Sequence, residues 1–212
     1  MREKSDHELM ERLKLGETQA LGELVERYRD RIVSFLYNFT GDYDLAADIA
    51  QETFVRVFLH SNRYKSTASF STWLYRIGIN MAIDEMRKRG RFRWIPFMKE
   101  DRSGRPTEIR GLPSTEHAEA SLLRKEKKRL VRRAVATLPR KYRAALILKD
   151  IEELPYEEVA RILNCPMGTV KSRINRARML LKGKLAGLFG NAGSGLQVPL
   201  KAVQERGKLS QA

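Results

Sequence analysis

Apolar residues recur every three or four positions through the first ninety residues, which is the spacing of amphipathic helices. The series begins at Leu9 and continues through Ile32 and beyond. No proline interrupts this stretch, and Ser5 with Glu8 forms a capping box just before the series. The pattern therefore predicts successive helices over residues 1–90, without strand-like alternation.

The remainder of the chain divides at a change in this pattern. Residues 91–118 contain three of the seven prolines and no sustained helical period, so we interpret them as a linker. Helical spacing returns over residues 119–186. Residues 187–212 begin with four glycines in nine positions and predict a flexible tail, with a short partner-binding helix as the alternative. The predicted fold class is all-α, with two small helical domains joined by a flexible linker.

The stretch LPYEEVARILNCPMGTVKSRI, residues 154–174, has the pattern of two helices separated by a tight break. Pro155 suits the start of the first helix, where a missing N–H costs nothing, and Pro166 suits the start of the second. Two glutamates follow Pro155 at the positive end of the first helix dipole. This spacing predicts a helix-turn-helix, whose second helix enters the major groove of duplex DNA.

The second of these helices has an apolar and a basic side. An apolar arc contains Val170, Ile174, Ala177 and Leu181, which predicts contact with a core. The opposite side and its flanks carry cations, an amide and a hydroxyl, which bind phosphates and base edges. These candidate duplex-binding residues are Lys171, Ser172, Arg173, Asn175 and Arg176. A merely solvated basic helix is the alternative for this segment taken alone.

The charge distribution supports a polyanionic partner for the second domain. The 212 residues carry a net charge of +15, of which +11 lies in residues 119–186, whereas residues 1–90 are neutral. That first domain is itself polarised, with −5 over residues 1–52 and +5 over residues 53–90. Two different partners for one domain would explain this polarity, and ordinary scatter of surface charge is the alternative.

Several classes of chemistry find no support in the sequence. Cys165 is the single cysteine and the three histidines are far apart, so no disulfide and no metal-ligand spacing is predicted. No nucleophile motif or glycine-rich phosphate loop occurs, which predicts a protein that is not an enzyme and needs no cofactor. The absence of a signal core or a long apolar run predicts a cytoplasmic protein without direct membrane insertion.

Residues 44–58, DLAADIAQETFVRVF, form a helix pattern with apolar residues on two sides. One side, which includes Ala50 and Phe58, predicts a core contact. The remaining surface mixes acids with Ile49 and other apolar residues, and it predicts a protein-docking face or, alternatively, a helix buried centrally in its own bundle. The docking candidates are Asp48, Gln51, Glu52 and Val55.

Residues 70–91, FSTWLYRIGINMAIDEMRKRGR, place an exposed aromatic, cations and an amide on one helix face. Such a surface suits single-stranded nucleic acid, because bases stack on aromatics while cations neutralise the backbone. An intrahelical row of salt bridges around Asp84 is the alternative. The face contains Trp73, Arg76, Asn80, Asp84 and Arg87, and an aromatic and basic loop at residues 62–69 precedes it.

Three motifs in this order resemble the extracytoplasmic-function (ECF) class of bacterial sigma factors. DIAQETFVRVF looks like the polymerase-binding helix of that family, and FSTWLYRIGIN like its promoter-melting helix. LPYEEVARILNCPMGTVKSRINRAR is similar to its promoter-reading helix-turn-helix. The resemblance covers residues 5–90 and 119–184, and it implies that core RNA polymerase, promoter DNA and an anti-sigma factor are partners.

The resemblance also implies a role for each candidate residue. Asp48, Gln51, Glu52 and Val55 would contact the clamp helices of polymerase. A base flipped from the melted minus-ten element would lie in a pocket, and the duplex candidates would face the minus-thirty-five element. The single-strand residues, which hold the base or the nearby backbone, would be Asn62, Lys65, Trp73, Arg76, Asn80, Arg87 and Lys88.

Two other classes of protein remain as alternatives. A dimeric helix-turn-helix regulator would act without polymerase as its main partner, and it predicts a dimerisation element and a palindromic site. A recombinase or another DNA-cutting enzyme would need a nucleophile or a metal cluster, for which the sequence has no candidate.

Overall fold

The structure is a computed structural model that describes residues 4–90 and 129–189, with side chains up to residue 186. All regular elements in these two ranges are helical, which confirms the all-α class. The predicted linker, residues 119–128 and the chain beyond residue 189 lie outside the described residues.

Four helices form the N-terminal unit: α1 (Asp6–Lys14), α2 (Gln19–Thr40), α3 (Tyr43–Leu59) and α4 (Phe70–Lys88). A 3₁₀ turn, Ser61–Arg63, lies between α3 and α4. The predicted capping box is present, because the Ser5 hydroxyl accepts from the Glu8 amide and the Glu8 carboxylate accepts from the Ser5 amide. The Asp42 carboxylate caps α3 by accepting from the Leu45 amide, and the Ser69 hydroxyl caps α4 by accepting from the Thr72 amide.

Helix α4 crosses α2 and α3 at close range, and Gly78 permits this approach. A Cβ atom at Gly78 would lie 3.2 Å from Ile32 Cδ1 and 3.5 Å from Thr53 Oγ1. Tyr75, one turn earlier on α4, is fully buried and packs edge-on against Phe35 with the ring centroids 4.9 Å apart. This packing orients α4 so that its opposite face points away from the core.

The second unit is shorter. Its described part contains a helix over residues 129–136 (α5), α6 (Arg140–Leu146), a π-helical turn at Ile147–Ile151, α7 (Tyr156–Ile162) and α8 (Met167–Phe189). Helices α7 and α8 form the predicted helix-turn-helix, and Asn164 in the turn has a φ of 47°, which asparagine tolerates better than most residues. Helix α8 extends three residues past the predicted domain end at residue 186, because Gly187 alone does not break a helix.

The two units are in contact, which the sequence did not predict. Helix α7 packs beside α4, and the buried Arg143 of α6 donates from Nη1 to the Phe39 carbonyl at the end of α2 over 2.6 Å. Arg143 also donates to the Leu138 carbonyl from Nε and Nη2. Burial lowers the pKa of Arg143 to about 10, with the nearby Arg140 charge adding to this shift.

Candidate nucleic-acid interface

The apolar arc of α8 is buried and its basic side is accessible, as the sequence predicted. Val170, Ile174, Ala177 and Leu181 are each at most 1 % exposed. On the other side, Arg173 is half-buried, with Nη1 3.5 Å from the Cys165 sulfur. The remaining candidates, Lys171, Ser172, Asn175 and Arg176, are exposed. The helix thus docks on α6 and α7 while it presents a contiguous basic surface.

Two contacts that sequence reasoning missed fix the position of α8. Arg178 donates from Nε and Nη2 to the two carboxylate oxygens of Asp150, over 2.9 and 2.6 Å. This hydrogen bonding raises the pKa of Arg178, against the effect of burial. The Tyr156 ring lies under Lys149 and Lys171, whose Nζ atoms are 4.8 and 5.8 Å from its centroid. Asp150 lies in the π-helical turn, and no local pattern links it to a residue 28 positions away.

The predicted row on α4 is exposed except at its first member. Arg76, Asn80, Asp84 and Arg87 are all accessible, and Arg87 Nη1 lies 3.2 Å from Asp84 Oδ1. The intrahelical pair that we considered as an alternative is therefore present, although both side chains remain more than half exposed. Such an exposed pair contributes little to stability and leaves Arg87 accessible to a ligand.

Trp73 was predicted to be an exposed aromatic, and this prediction is wrong. The side chain is half-buried because the loop before α4 folds back onto it. Its ring lies 5.4 Å from that of Tyr64 and 6.5 Å from that of Phe70. Tyr64 is itself held by a hydrogen bond from its hydroxyl to the Ala68 carbonyl. The Trp73 side chain remains partly accessible beside this aromatic cluster.

A cavity of about 470 Å³ adjoins this cluster. Three single-strand candidates, Lys65, Trp73 and Arg76, line it. Asn80 and Asn62 are exposed outside its lining, and Arg87 and Lys88 line a separate groove between α3 and α4. The structure thus brings together the loop and the start of α4, and it separates them from the C-terminal end of the row.

The docking candidates on α3, Asp48, Gln51, Glu52 and Val55, are all exposed. Glu52 pairs with Arg56 across one helical turn at 3.2 Å, an exposed contact. Two neighbouring predictions were wrong, because Ile49 is 4 % exposed whereas Phe58 is 42 % exposed. The buried arc of α3 contains Ala46, Ala50 and Val57 and also includes position 49, whereas Phe58 lies in the last turn of the helix, outside this arc.

The exposed apolar surface on α3 exceeds what the docking candidates alone provide. Val55, Phe58 and Leu59 are 44, 42 and 66 % exposed. Together with Asp48 and Glu52 they form an apolar patch with acids at its edge, which we call the α3 face. Contiguous apolar patches with a polar rim are typical of protein–protein contacts.

Other kinds of site find no support in residues 4–90 and 129–189. Within these ranges, no group of three or more histidine, cysteine, aspartate or glutamate side chains is arranged to hold a metal ion. None of the described helices is both long and apolar enough to cross a membrane.

Comparison with known families and structures defines the class of protein. The family Sigma-70 region 2 matches residues 24–92, and Sigma-70 region 4 matches residues 128–181. RNA polymerase sigma-H factor of Pseudomonas aeruginosa is 34 % identical over 194 residues, which are 90 % of this chain and 98 % of that protein. ECF RNA polymerase sigma factor SigW of Bacillus subtilis is 33 % identical over 84 % of this chain and 96 % of its own.

Two solved structures share the fold. CnrH in complex with the cytosolic domain of CnrY aligns with a TM-score of 0.62 and 24 % identity, over 87 % of this chain and 99 % of that one. The sigma factor RpoE bound to the anti-sigma factor NepR from Bartonella quintana aligns with a TM-score of 0.58 and 24 % identity, over 77 % and 95 %.

These similarities identify the family of the protein. The chain belongs to the sigma-70 family of RNA polymerase sigma factors, within its ECF class. It is therefore a sigma factor, which binds core RNA polymerase and directs promoter recognition and transcription initiation. Family membership favours this function over a dimeric helix-turn-helix regulator.

Proposed function

We propose that three surfaces divide the work of this sigma factor. The α3 face, with Asp48, Gln51, Glu52 and Val55, docks on core polymerase. The loop at residues 62–69 and the row on α4 hold the melted minus-ten strand. The basic side of α8 reads the minus-thirty-five duplex. The chain acts in the cytoplasm as a specificity subunit and catalyses no reaction itself.

The observation that supports this proposal most directly is the exposure of apolar side chains on the α3 face. A folded helix exposes three large apolar side chains beside Asp48 and Glu52, while its opposite side is buried. Leaving that much apolar surface in water is unfavourable. A protein partner that covers it would bury this surface, and the burial would stabilise the complex. The acids at the rim favour a partner with a basic surface and orient it during association.

Reversing the charge of the rim tests this docking site. The double variant D48K/E52K is expected to bind core polymerase roughly ten- to a hundredfold more weakly, since like charges placed across an interface cost several kcal/mol. Fluorescence anisotropy of the labelled full chain against core polymerase measures this affinity.

A matched control carries the same two reversals on another helix. Glu26 and Asp30 are exposed on α2 at the same four-residue spacing, and E26K/D30K should bind within about twofold of wild type. Circular dichroism confirms that both variants fold. Equal polymerase affinity in D48K/E52K and wild type would contradict the docking site.

The chain is organised in four segments in this proposal: residues 1–90 form the polymerase-docking and promoter-melting domain, 91–118 a linker, 119–186 the DNA-binding domain and 187–212 a tail. Limited proteolysis should cut within 91–118, and protection of that whole stretch would contradict the division.

We also propose an anti-sigma factor as a third partner. Purification of the tagged chain from its own cells should yield an inhibitory protein under some growth condition, and its absence under all conditions would count against this partner.

A further inference from the structure

The cavity beside Trp73 has a wall from each unit of the chain. The N-terminal unit supplies the loop before α4 and the start of α4 itself. The second unit supplies Arg161 of α7 and Asn164 of the following turn. The volume of about 470 Å³ lies within the range of about 300–1,000 Å³ that is usual for small-molecule sites. In size, the cavity therefore suits one small molecule.

The lining of this cavity is strongly basic. Its charged side chains are all cations, namely Arg63, Lys65, Arg76 and Arg161. Within residues 4–90 and 129–189, no carboxylate forms an ion pair with any of these four side chains. All four are exposed, so their charges are available to a ligand. A concave surface with charges of one sign concentrates ions of the opposite sign, and the expected ligand is therefore a polyanion.

One carboxylate lies next to the cavity without lining it. Glu158 Oε2 accepts from the Thr72 hydroxyl over 3.2 Å and lies 3.4 Å from the Ser69 hydroxyl. Thr72 is buried and lines the cavity, so Glu158 is one hydrogen bond away from the lining. This acid offsets part of the basic charge. With four cations against one acid, the surroundings of the cavity keep an excess of positive charge.

An aromatic side chain adds an apolar surface to the cavity. Trp73 lines it and is half-buried, with its ring 5.4 Å from that of Tyr64 and 6.5 Å from that of Phe70. Nucleobases stack on aromatic rings, whereas an inorganic polyanion does not. The exposed Asn164 side chain offers a donor and an acceptor, which can bind the edge of a base. The lining thus combines groups that bind phosphates with groups that bind a base.

We propose that this cavity is a binding site for a free nucleotide that carries at least two phosphates. The phosphates bind the cations of the lining, and the base stacks on Trp73. Arg161 contacts a phosphate from the second unit, so that one ligand touches both units. A nucleotide within single-stranded DNA has the same chemistry. The two sources differ in extent, because a strand also follows the exposed row on α4 outside the cavity, whereas a free nucleotide lies wholly within it.

Isothermal titration calorimetry of the full-length chain without polymerase tests the class of ligand. The probes are the four ribonucleoside triphosphates, each titrated separately, and inorganic tripolyphosphate, which lacks the base. At least one triphosphate should bind saturably and about fivefold more tightly than tripolyphosphate, because its base stacks on Trp73. Absence of saturable binding for all four triphosphates would overturn the proposal. Equal affinity for tripolyphosphate would also overturn it, since the cavity would then recognise charge alone.

Two arginine variants test the location of the site. Arg161→Ala removes the cation that the second unit contributes to the cavity. Arg133→Ala is the matched control, because it removes the same charge from an exposed position on α5, outside the cavity lining. Arg161→Ala should bind the triphosphate about tenfold more weakly than Arg133→Ala, the loss of one charged hydrogen bond. Circular dichroism confirms that both variants fold. Equal affinity of the two variants would overturn the site, since the nucleotide would bind elsewhere.

A fluorescein-labelled pool of twelve-nucleotide single-stranded DNA of mixed sequence distinguishes a free nucleotide from a strand. Fluorescence anisotropy should show that Arg161→Ala and Arg133→Ala bind the pool within about twofold of each other, since most contacts of a strand lie outside the cavity. A loss in Arg161→Ala as large as its loss of triphosphate affinity would overturn the free-nucleotide site, because the cavity would then be part of the strand surface. If the free chain binds no strand, the calorimetry alone decides, because the nucleotide site does not depend on the single-strand role of α4.

Discussion

The two candidate DNA surfaces, on α4 and on α8, differ in what the rest of the chain does to them. The basic side of α8 faces solvent except at the half-buried Arg173, and its apolar arc is covered by its own unit. The row on α4 is equally polar, but its first residue, Trp73, is packed against a loop, and Arg161 of α7 and Asn164 of the following turn line the same cavity from the other unit. A DNA-binding surface can therefore be predicted on the correct helix face and still be only partly accessible to DNA in the folded chain.

The physical reason is the range of the interactions involved. The arc of α8 packs on α6 and α7, which precede it closely in the chain, so that the local pattern contains most of the information. The cover on α4 comes from distant residues through single polar contacts, such as that of Thr72 with Glu158, 86 positions along the chain. Experiments on the Arg143 contact between the units, on α8 and on α4 test this difference separately.

The largest expected effect comes from removing Arg143, which joins the units. Arg143→Ala leaves the buried carbonyls of Leu138 and Phe39 without their donor and removes a cation from above the Phe39 ring. We expect the free energy of unfolding to fall by about 2–4 kcal/mol, as for other buried charged hydrogen-bond donors. Urea denaturation of the full chain measures it.

Lys141 provides the control for this variant, because it lies two positions away on α6 and is exposed. Lys141→Ala should change the free energy of unfolding by less than about 0.5 kcal/mol. A loss no larger in Arg143→Ala than in Lys141→Ala would mean that the Arg143 contact between the units contributes nothing to stability. The contrast between α4 and α8 would then lose its structural basis.

The next effect concerns Arg176 on the open side of α8, in line with Ser172 and the exposed Met179. Arg176→Ala should cost about 1–3 kcal/mol on the preferred minus-thirty-five element and relax its sequence preference, as the loss of a base contact does. Duplex affinity of the full chain, measured against salt on preferred and scrambled sequences, tests this.

Lys182 and Lys184 are exposed further along α8 and serve as the comparison. Replacing either with alanine should weaken all duplexes similarly and reduce the salt slope by about 0.9, the contribution of one phosphate. Equal weakening of preferred and scrambled duplexes by Arg176→Ala would mean that Arg176 only neutralises phosphate. Lys171, Ser172 and Arg173 would then be the candidates for recognition of the DNA sequence.

The smallest effect is expected at Asn80, which lies one turn beyond Arg76 on α4 and outside the cavity lining. Asn80→Ala should reduce discrimination among bases at one minus-ten position by about 1 kcal/mol, the value of a typical hydrogen bond, with polymerase affinity unchanged. Competition between single-stranded oligonucleotides for the polymerase-bound chain measures this preference. An unaltered base preference would locate the pocket elsewhere, with the residues of the cavity as the first candidates.

Much of the fold follows from local rules in the sequence. The Ser5 capping box and the arc of α8 depend on residues within a few turns, and each is present in the structure. The four docking candidates on α3 are also exposed as expected. These features need only helical periodicity and the chemistry of helix ends.

The structural features that could not be predicted from the sequence depend on contacts between distant segments. Ile49 and Phe58 exchanged their expected positions, because the neighbouring helices decide how wide the buried arc of α3 is and where it ends. Glu158 was assigned only to the helix dipole, although it also binds Ser69 and Thr72. Asp150 carried no sequence signal at all, since its partner lies on α8.

The most direct test of the account is transcription in vitro by core polymerase on a library of genomic fragments, with and without this chain. We expect a defined set of transcripts that appears only when the chain is present. Their start sites should share a minus-ten and a minus-thirty-five element, and the set should disappear with D48K/E52K. No added transcripts, together with tight binding of the chain alone to palindromic duplexes, would contradict the account and identify a dimeric regulator instead.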